Sequence, residues 1–287
     1  MTSDATGGPG REFPDALLSL RDLRVSYPGK GRRAPRARIL KGVSLDIRPG
    51  ETLGLVGESG SGKTTIGRAV LGLAPVESGT ITFAGSRIEE AGRARRRALA
   101  RDLQVVFQDP YTSLNPSRTV GDTLGEPLLG RGTGTREARD RIAELLERVR
   151  LPADAADRLP REFSGGQRQR VAIARALALR PRLVICDEPV SALDLTTQRT
   201  VLELLLEIQE ETQAAYLFVT HDLGVVRFMS HRVAVIQAGE LVETGDAVQV
   251  TSEPRHPYTR ALMLAAPVAD VREQRRRREA AELSARS

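Results

Sequence analysis

Residues 57–64 read Gly57-Glu58-Ser59-Gly60-Ser61-Gly62-Lys63-Thr64, the spacing GxxxxGK[ST]. Glycines at these places let backbone N–H groups curl around an anion. A helix beginning just after them adds the positive end of its dipole. On this pattern Lys63 reaches the β- and γ-phosphates of a nucleotide, the Thr64 hydroxyl ligates Mg2+, and Thr65 sits at the same loop-to-helix junction. A plain glycine-rich turn is the competing reading. The apolar run Leu53-Gly54-Leu55-Val56 before the loop and the helical pattern after it favour the phosphate loop.

A second apolar run, Leu183-Val184-Ile185-Cys186, delivers Asp187 and Glu188 to its end. Alone, such a pair marks only the end of a strand. Beside a phosphate loop, Asp187 is placed to hold Mg2+ through water and Glu188 to polarise an attacking water. A third segment, Ser164-Gly165-Gly166-Gln167, opens a helix. A serine cap followed by two glycines exposes N–H groups and a dipole end, which suits an anion, although an ordinary capped helix has the same look.

These residues need elements to position them. Leu53–Val56, Val105–Phe107, Leu183–Cys186 and Tyr216–Val219 are apolar throughout and predict strands buried on both faces, as in a parallel sheet between helices. Helices are predicted over Thr64–Leu73, Gln167–Leu179 and Thr196–Glu211, alternating with those strands. Gly57, Gln108, Asp187 and His221 each follow the C-terminal end of an apolar strand, the edge at which open parallel sheets bind ligands. Leu18–Tyr27, Val43–Ile47 and Ile81–Phe83 predict a second, half-exposed strand layer, with a loop over Pro28–Arg38. Residues 113–160 show no strand and carry an amphipathic helix, Thr135–Arg150, so a helical insert is expected there. Val233–Ile236 and Glu240–Glu243 predict a hairpin through Gly239 that closes the sheet.

The motifs and their order resemble the ATP-binding subunits of ABC transporters, from about Leu18 to Pro267. Ser164-Gly165-Gly166-Gln167-Arg168-Gln169-Arg170 is similar to that family's signature. The resemblance implies an α/β P-loop NTPase fold: an ABC ATPase core with an antiparallel β layer and a helical subdomain. It implies ATP and Mg2+ as cofactors and a head-to-tail dimer in which Ser164 and Gly166, with Gly165, Gln167 and Asp194 of the D-loop, face ATP held on the partner's phosphate loop. Gln108 matches the glutamine that meets Mg2+ and the water and senses the membrane subunit. His221 matches the switch histidine near the γ-phosphate, and Tyr27 the aromatic that stacks on adenine. Phe107–Pro116, Pro189–Asp194 and Pro254–Thr259 look like the oligopeptide/dipeptide importer branch, its second ATPase type. One departure is Gln237-Ala238-Gly239, where relatives more often carry an aromatic; it is expected to affect the hairpin and not the site.

The resemblance implies an ATP-hydrolysing importer motor at the cytoplasmic face of the membrane. Its partners would be two permeases, a paralogous ATPase or a second copy, and indirectly a solute-binding protein. A nickel or other solute importer of the branch and a nucleic-acid-associated ABC ATPase are the alternatives. The latter would need long coiled coils, zinc cysteines or two cassettes, none of which is read here. The loop Gln108–Pro116, with Pro110, Tyr111, Leu114 and Pro116, is expected at a surface covered by a permease helix. Composition excludes other classes. A single cysteine, Cys186, excludes internal disulfides and cysteine metal sites. No apolar run approaches the ~18 residues of a membrane span, and no signal peptide is evident over Met1–Phe13. The net charge of +6 rests on arginine, lysines being confined to Lys30, Lys41 and Lys63. With 3% aromatics there is no base-stacking platform, so no nucleic-acid partner is expected. The expected organisation is a disordered leader over 1–15, an ATPase domain over 16–245 with its helical subdomain over about 113–164, and a C-terminal extension over 246–287.

Overall fold

The computed structural model describes residues 16–29, 36–109 and 113–265. The expected leader, the arginine-rich tail and Pro110–Thr112 lie outside the described residues.

Two sheets are stacked. The first is antiparallel, in the order β2-β1-β4-β5. Its strands are β1 (Leu18–Tyr27), β2 (Ala37–Ile47), β4 (Val76–Phe83) and β5 (Ser86–Arg87). β2 and β4 are longer than their alternating cores because backbone pairing carries them outward. Tyr27 pairs with Ala37 at one end and Val25 with Val76 at another.

The second sheet has the order β10-β9-β3-β8-β7-β6. It is built from β3 (Thr52–Val56), β6 (Leu103–Val106), β7 (Leu183–Asp187), β8 (Ala215–Thr220), β9 (Arg232–Gln237) and β10 (Glu240–Asp246). All neighbours are parallel except β9 and β10, the antiparallel hairpin expected through Gly239. Two-sided burial explains the continuous apolar runs. Val184, Cys186, Tyr216 and Phe218 face the helical side, while Leu183, Ile185, Leu217 and Val219 face the antiparallel sheet. β6 is an edge strand, and Gln104 and Val105 on it are only half-buried.

Helix α1 (Lys63–Val70) follows β3 and ends earlier than its apolar pattern suggests, leaving Leu73 largely exposed. After α2 (Arg93–Leu99), the helical insert contains α3 (Val120–Leu129), α4 (Thr135–Arg148) and two short 3₁₀ turns, with no strand among its described residues. Its apolar face, with Leu145, Leu146 and Val149 buried, packs into the same cluster as α5 (Gly165–Leu177) and α6 (Leu195–Thr212). Helix α7 (Leu223–Met229) and α8 (Ala247–Ser252) cover β9 through Leu223, Val226, Ala247 and Val250. Beyond them runs α9 (Pro257–Ala265).

The expectation of a surface-exposed Leu114 is corrected here. Leu114 is buried against the cluster that holds Val120 and Leu124, while Pro116 is exposed. An apolar side chain that can reach the insert's own core takes that cover in place of a partner helix. Leu114→Ala is therefore expected to destabilise the chain by about 2–5 kcal/mol, the usual cost of emptying a core leucine site. Urea denaturation checks this. No helix among the described residues is long and apolar enough to cross a membrane.

Candidate active site

The parallel strands point the same way, so the segments that follow them meet at one edge of the sheet. Gly57 follows β3, Gln108 lies two residues past β6, Asp187 ends β7 and His221 follows β8. A cleft of about 370 Å³ opens there, lined by Tyr27, Ser59, Gly60, Gly62, Lys63, Thr64, Thr65, Gln108 and Glu188. Tyr27 comes from the antiparallel sheet, so the second layer supplies one wall. Ile39 and Arg68 also line the cleft. Sequence reading missed both, although Arg68 stands four residues after Thr64, on the same helical face.

The loop itself is built by close approach. Gly62 caps α1 with φ 113°, a left-handed conformation that favours glycine. A Cβ on Gly57 would lie 2.2 Å from Ile236 O and 2.9 Å from Ser61 Oγ. Gly57→Ala must displace backbone and is expected to cost about 1–3 kcal/mol. Thermal denaturation checks this, and nucleotide affinity is expected to fall with it.

Lys63 is 5% exposed, and its Nζ donates to Gly57 O at 2.7 Å and Glu58 O at 2.9 Å. Burial lowers its pKa, opposed by the charges of Glu188, Asp187 and Glu58. The ammonium is held by loop carbonyls at the floor of a glycine cradle. The Ser61 hydroxyl is buried there with no hydrogen-bond partner among the described residues. An anion in the cradle would satisfy both.

The Thr64 hydroxyl donates to Asp187 Oδ1 at 3.0 Å. Burial raises the Asp187 pKa, while the Thr64 bond and the charges of Arg68 and Lys63 pull it down. A half-buried carboxylate hydrogen-bonded to a hydroxyl offers two hard oxygen donors side by side. They fit Mg2+. The neighbouring Cys186 thiol is pushed up to about 12, first by burial and then by the Asp187 charge, and is inert.

Glu188 has a strained backbone, with φ 50° in the left-handed region. Its N–H donates to Val219 O at 2.9 Å, and its carbonyl accepts from Ser191 Oγ at 3.1 Å. Its Oε2 receives Gln108 Nε2 at 3.4 Å and lies 3.3 Å from His221 Nδ1. Gln108, Glu188 and His221, from three strand ends, thus converge on one carboxylate oxygen. His221 and Glu188 also line a second cleft of about 510 Å³ with Gly57, Glu58, Ser59 and Leu262.

Ser164, Gly165, Gly166, Gln167 and Asp194 line neither cleft. Ser164 Oγ caps α5 by accepting from Gln167 N at 3.3 Å, and Gln167 Oε1 returns the bond at 2.9 Å. The serine proton stays available to donate. Asp194 caps α6 by accepting from Thr197 N at 3.0 Å and Thr197 Oγ1 at 2.7 Å. The two helix starts touch, since a Cβ on Gly166 would meet Thr197 Cγ2 at 2.2 Å.

Two contacts escaped sequence reading. Gly239 N donates to Ser61 O at 2.9 Å and Gly239 O accepts from Lys41 N at 3.0 Å, so the hairpin turn supports the phosphate loop. The other is Tyr258, whose hydroxyl accepts from Glu58 N at 3.0 Å. The Glu58 backbone is thus spent inside the protein, its N–H on Tyr258 and its carbonyl on Lys63.

A parallel sheet carrying a phosphate loop, with an aspartate–glutamate pair and a histidine at neighbouring strand ends, defines an ATP-binding cassette. Residues 40–191 match the ABC transporter family and residues 242–286 match the oligopeptide/dipeptide transporter C-terminal region. The chain belongs to the ABC transporter family. It is 49% identical over 269 residues to the glutathione import ATP-binding protein GsiA of Salmonella paratyphi A. It is 50% identical over 270 residues to the GsiA of Pectobacterium atrosepticum. Each alignment covers 92% of this chain and 43% of the relative, so the chain spans about two fifths of the length of these proteins. Among solved structures it is similar to cbiO1 of Clostridium perfringens, part of the ABC transporter complex cbiONQ. That likeness has a TM-score of 0.74 and 28% identity, covering 83% of this chain and 92% of that one. The dimeric cassette MJ0796, in a post-hydrolysis state with ADP and Pi, gives a TM-score of 0.72 at 31% identity, covering 80% and 99%.

Proposed function

We propose that this chain is the ATP-hydrolysing motor of an importer for short peptides or peptide-like solutes such as glutathione. The observation that carries the reading is the meeting of Lys63, Thr64, Asp187, Glu188, Gln108 and His221 at one sheet edge. Lys63 and the loop N–H groups bind the phosphates of ATP, and Tyr27 takes the adenine. Thr64, Asp187 and Gln108 would hold Mg2+, which would supply positive charge to the bound phosphates. Glu188 orients and polarises the water, while Gln108 and His221 hold its carboxylate in place. The likeness to glutathione import proteins and the match of residues 242–286 support the solute class.

The proposed domain limits are 16–245 for the ATPase domain, with the helical subdomain over about 113–164, and 246–287 for the C-terminal extension. The proposed partners are two permeases, a paralogous cassette or a second copy, and indirectly a solute-binding protein. The chain then works at the cytoplasmic face of the membrane. Ser164–Gln167 and Asp194 lie away from the clefts of their own chain, which supports a role opposite another chain's phosphate loop. Sedimentation of a Glu188→Gln chain tests this. ATP is expected to drive association with itself or its paralogue, and ADP to leave it dissociated. No ATP-dependent association with either would count against the shared site.

A further inference from the structure

One hydrogen bond ties the C-terminal region to the phosphate loop across 200 residues of sequence, from Glu58 N to Tyr258 Oη at 3.0 Å. The N–H involved belongs to the Gly57–Glu58 peptide. The carbonyl of that same peptide is Gly57 O, the nearer of the two acceptors that hold Lys63 Nζ, at 2.7 Å. A single peptide plane is therefore held from both edges, by Tyr258 at its N–H and by Lys63 at its C=O. The Lys63 end of this pair is buried and the Tyr258 end is exposed.

This peptide has reason to need holding. Glycine at 57 removes the side chain that would hinder its rotation. Turning the plane would carry Gly57 O away from Lys63 and leave a buried ammonium with one acceptor fewer. Tyr258 opposes that turn, and its own seat is rigid. It is the second residue of α9, which starts at Pro257, a residue preset for a first helical turn. The turn before α9 is held by Glu243 of β10, whose carboxylate accepts from Arg255 N at 2.9 Å and His256 N at 3.0 Å. His256 Nδ1 accepts from Tyr258 N at 3.2 Å. The Tyr258 ring packs beside the buried cluster of Val56 and Val226, and Thr259 is fully buried. The hydroxyl is therefore delivered by a fixed element.

We propose that Tyr258 is a positioning residue for nucleotide binding. Its hydroxyl fixes the Gly57–Glu58 peptide so that the phosphate loop and Lys63 stand ready for ATP. Through it the C-terminal region sets nucleotide affinity. Tyr258 acts through Glu58 and Lys63 and touches no reacting atom. The inference rests on reading this cleft as the ATP site.

Tyr258→Phe in the full chain removes one oxygen and keeps the ring, and steady-state ATP hydrolysis and amide hydrogen exchange are measured on it. The KM for ATP is expected to rise about 5–10-fold, the worth of one net hydrogen bond, with kcat changed less than about twofold. Exchange at the Glu58 amide is expected to quicken about 10-fold or more while the β3 amides keep their protection. That local deprotection separates a held peptide from a general loss of packing, which would move β3 as well. A variant with wild-type KM and wild-type Glu58 exchange would overturn the proposal and leave the nucleotide site standing. A wild-type chain that binds no ATP would overturn both.

Discussion

Glu188→Gln is expected to bind ATP with near wild-type affinity and to release phosphate about 10²–10³ times more slowly. The substitution keeps the size and planarity of the side chain. It removes the negative charge and the ability to take up a proton. The surroundings show why the carboxylate cannot be replaced from elsewhere. Glu188 stands at φ 50°, and its Oε2 is approached by Gln108 Nε2 at 3.4 Å and His221 Nδ1 at 3.3 Å. Asp187, the neighbouring carboxylate, is tied to Thr64 at 3.0 Å and faces the proposed Mg2+ position. Equilibrium binding of a fluorescent ATP analogue and phosphate release, measured on the same preparation, separate the two effects. Near wild-type turnover in this variant would remove Glu188 from the role.

Lys63→Ala is expected to act earlier, weakening ATP binding about 100-fold and abolishing measurable turnover. The ammonium stands on the loop floor, held there by Gly57 O and Glu58 O. With alanine in its place, those two carbonyls lose their donor and the phosphates lose their counter-charge together. Titration calorimetry with ATP and Mg2+ reads the loss directly. Wild-type affinity in Lys63→Ala would place the phosphates elsewhere.

The two variants divide the site along a line already visible in the sequence. The phosphate loop and the Asp187-Glu188 pair could be read because each is a short run whose neighbours confirm it. Strand direction then placed Gln108 and His221 beside them, and the structure brings all four strand ends together. The parallel core was legible for the same reason, since burial on both faces removes polar residues from a strand altogether. The ends of elements were less so. β2 begins at Ala37, not near Val43, because its outer half pairs with Ser26 and Tyr27 through backbone groups that every residue type carries. Leu114 misled because an apolar residue between prolines looks alike whether its cover comes from its own chain or another. The support given to the loop by Gly239 and Tyr258 left no local trace. Both act through single bonds to backbone atoms of residues far away in sequence, 200 positions in the case of Tyr258.

The most direct test of the central claim is solute uptake into proteoliposomes that hold the partner permeases and this chain, with ATP enclosed on the cassette side. Labelled short peptides, glutathione included, are offered on the other side with the solute-binding protein. The wild-type chain is expected to drive ATP-dependent accumulation. The Glu188→Gln chain is expected to assemble equally well and to accumulate at most a small fraction of that amount. Equal accumulation by the two chains would contradict the account, because solute would then move without hydrolysis at this site.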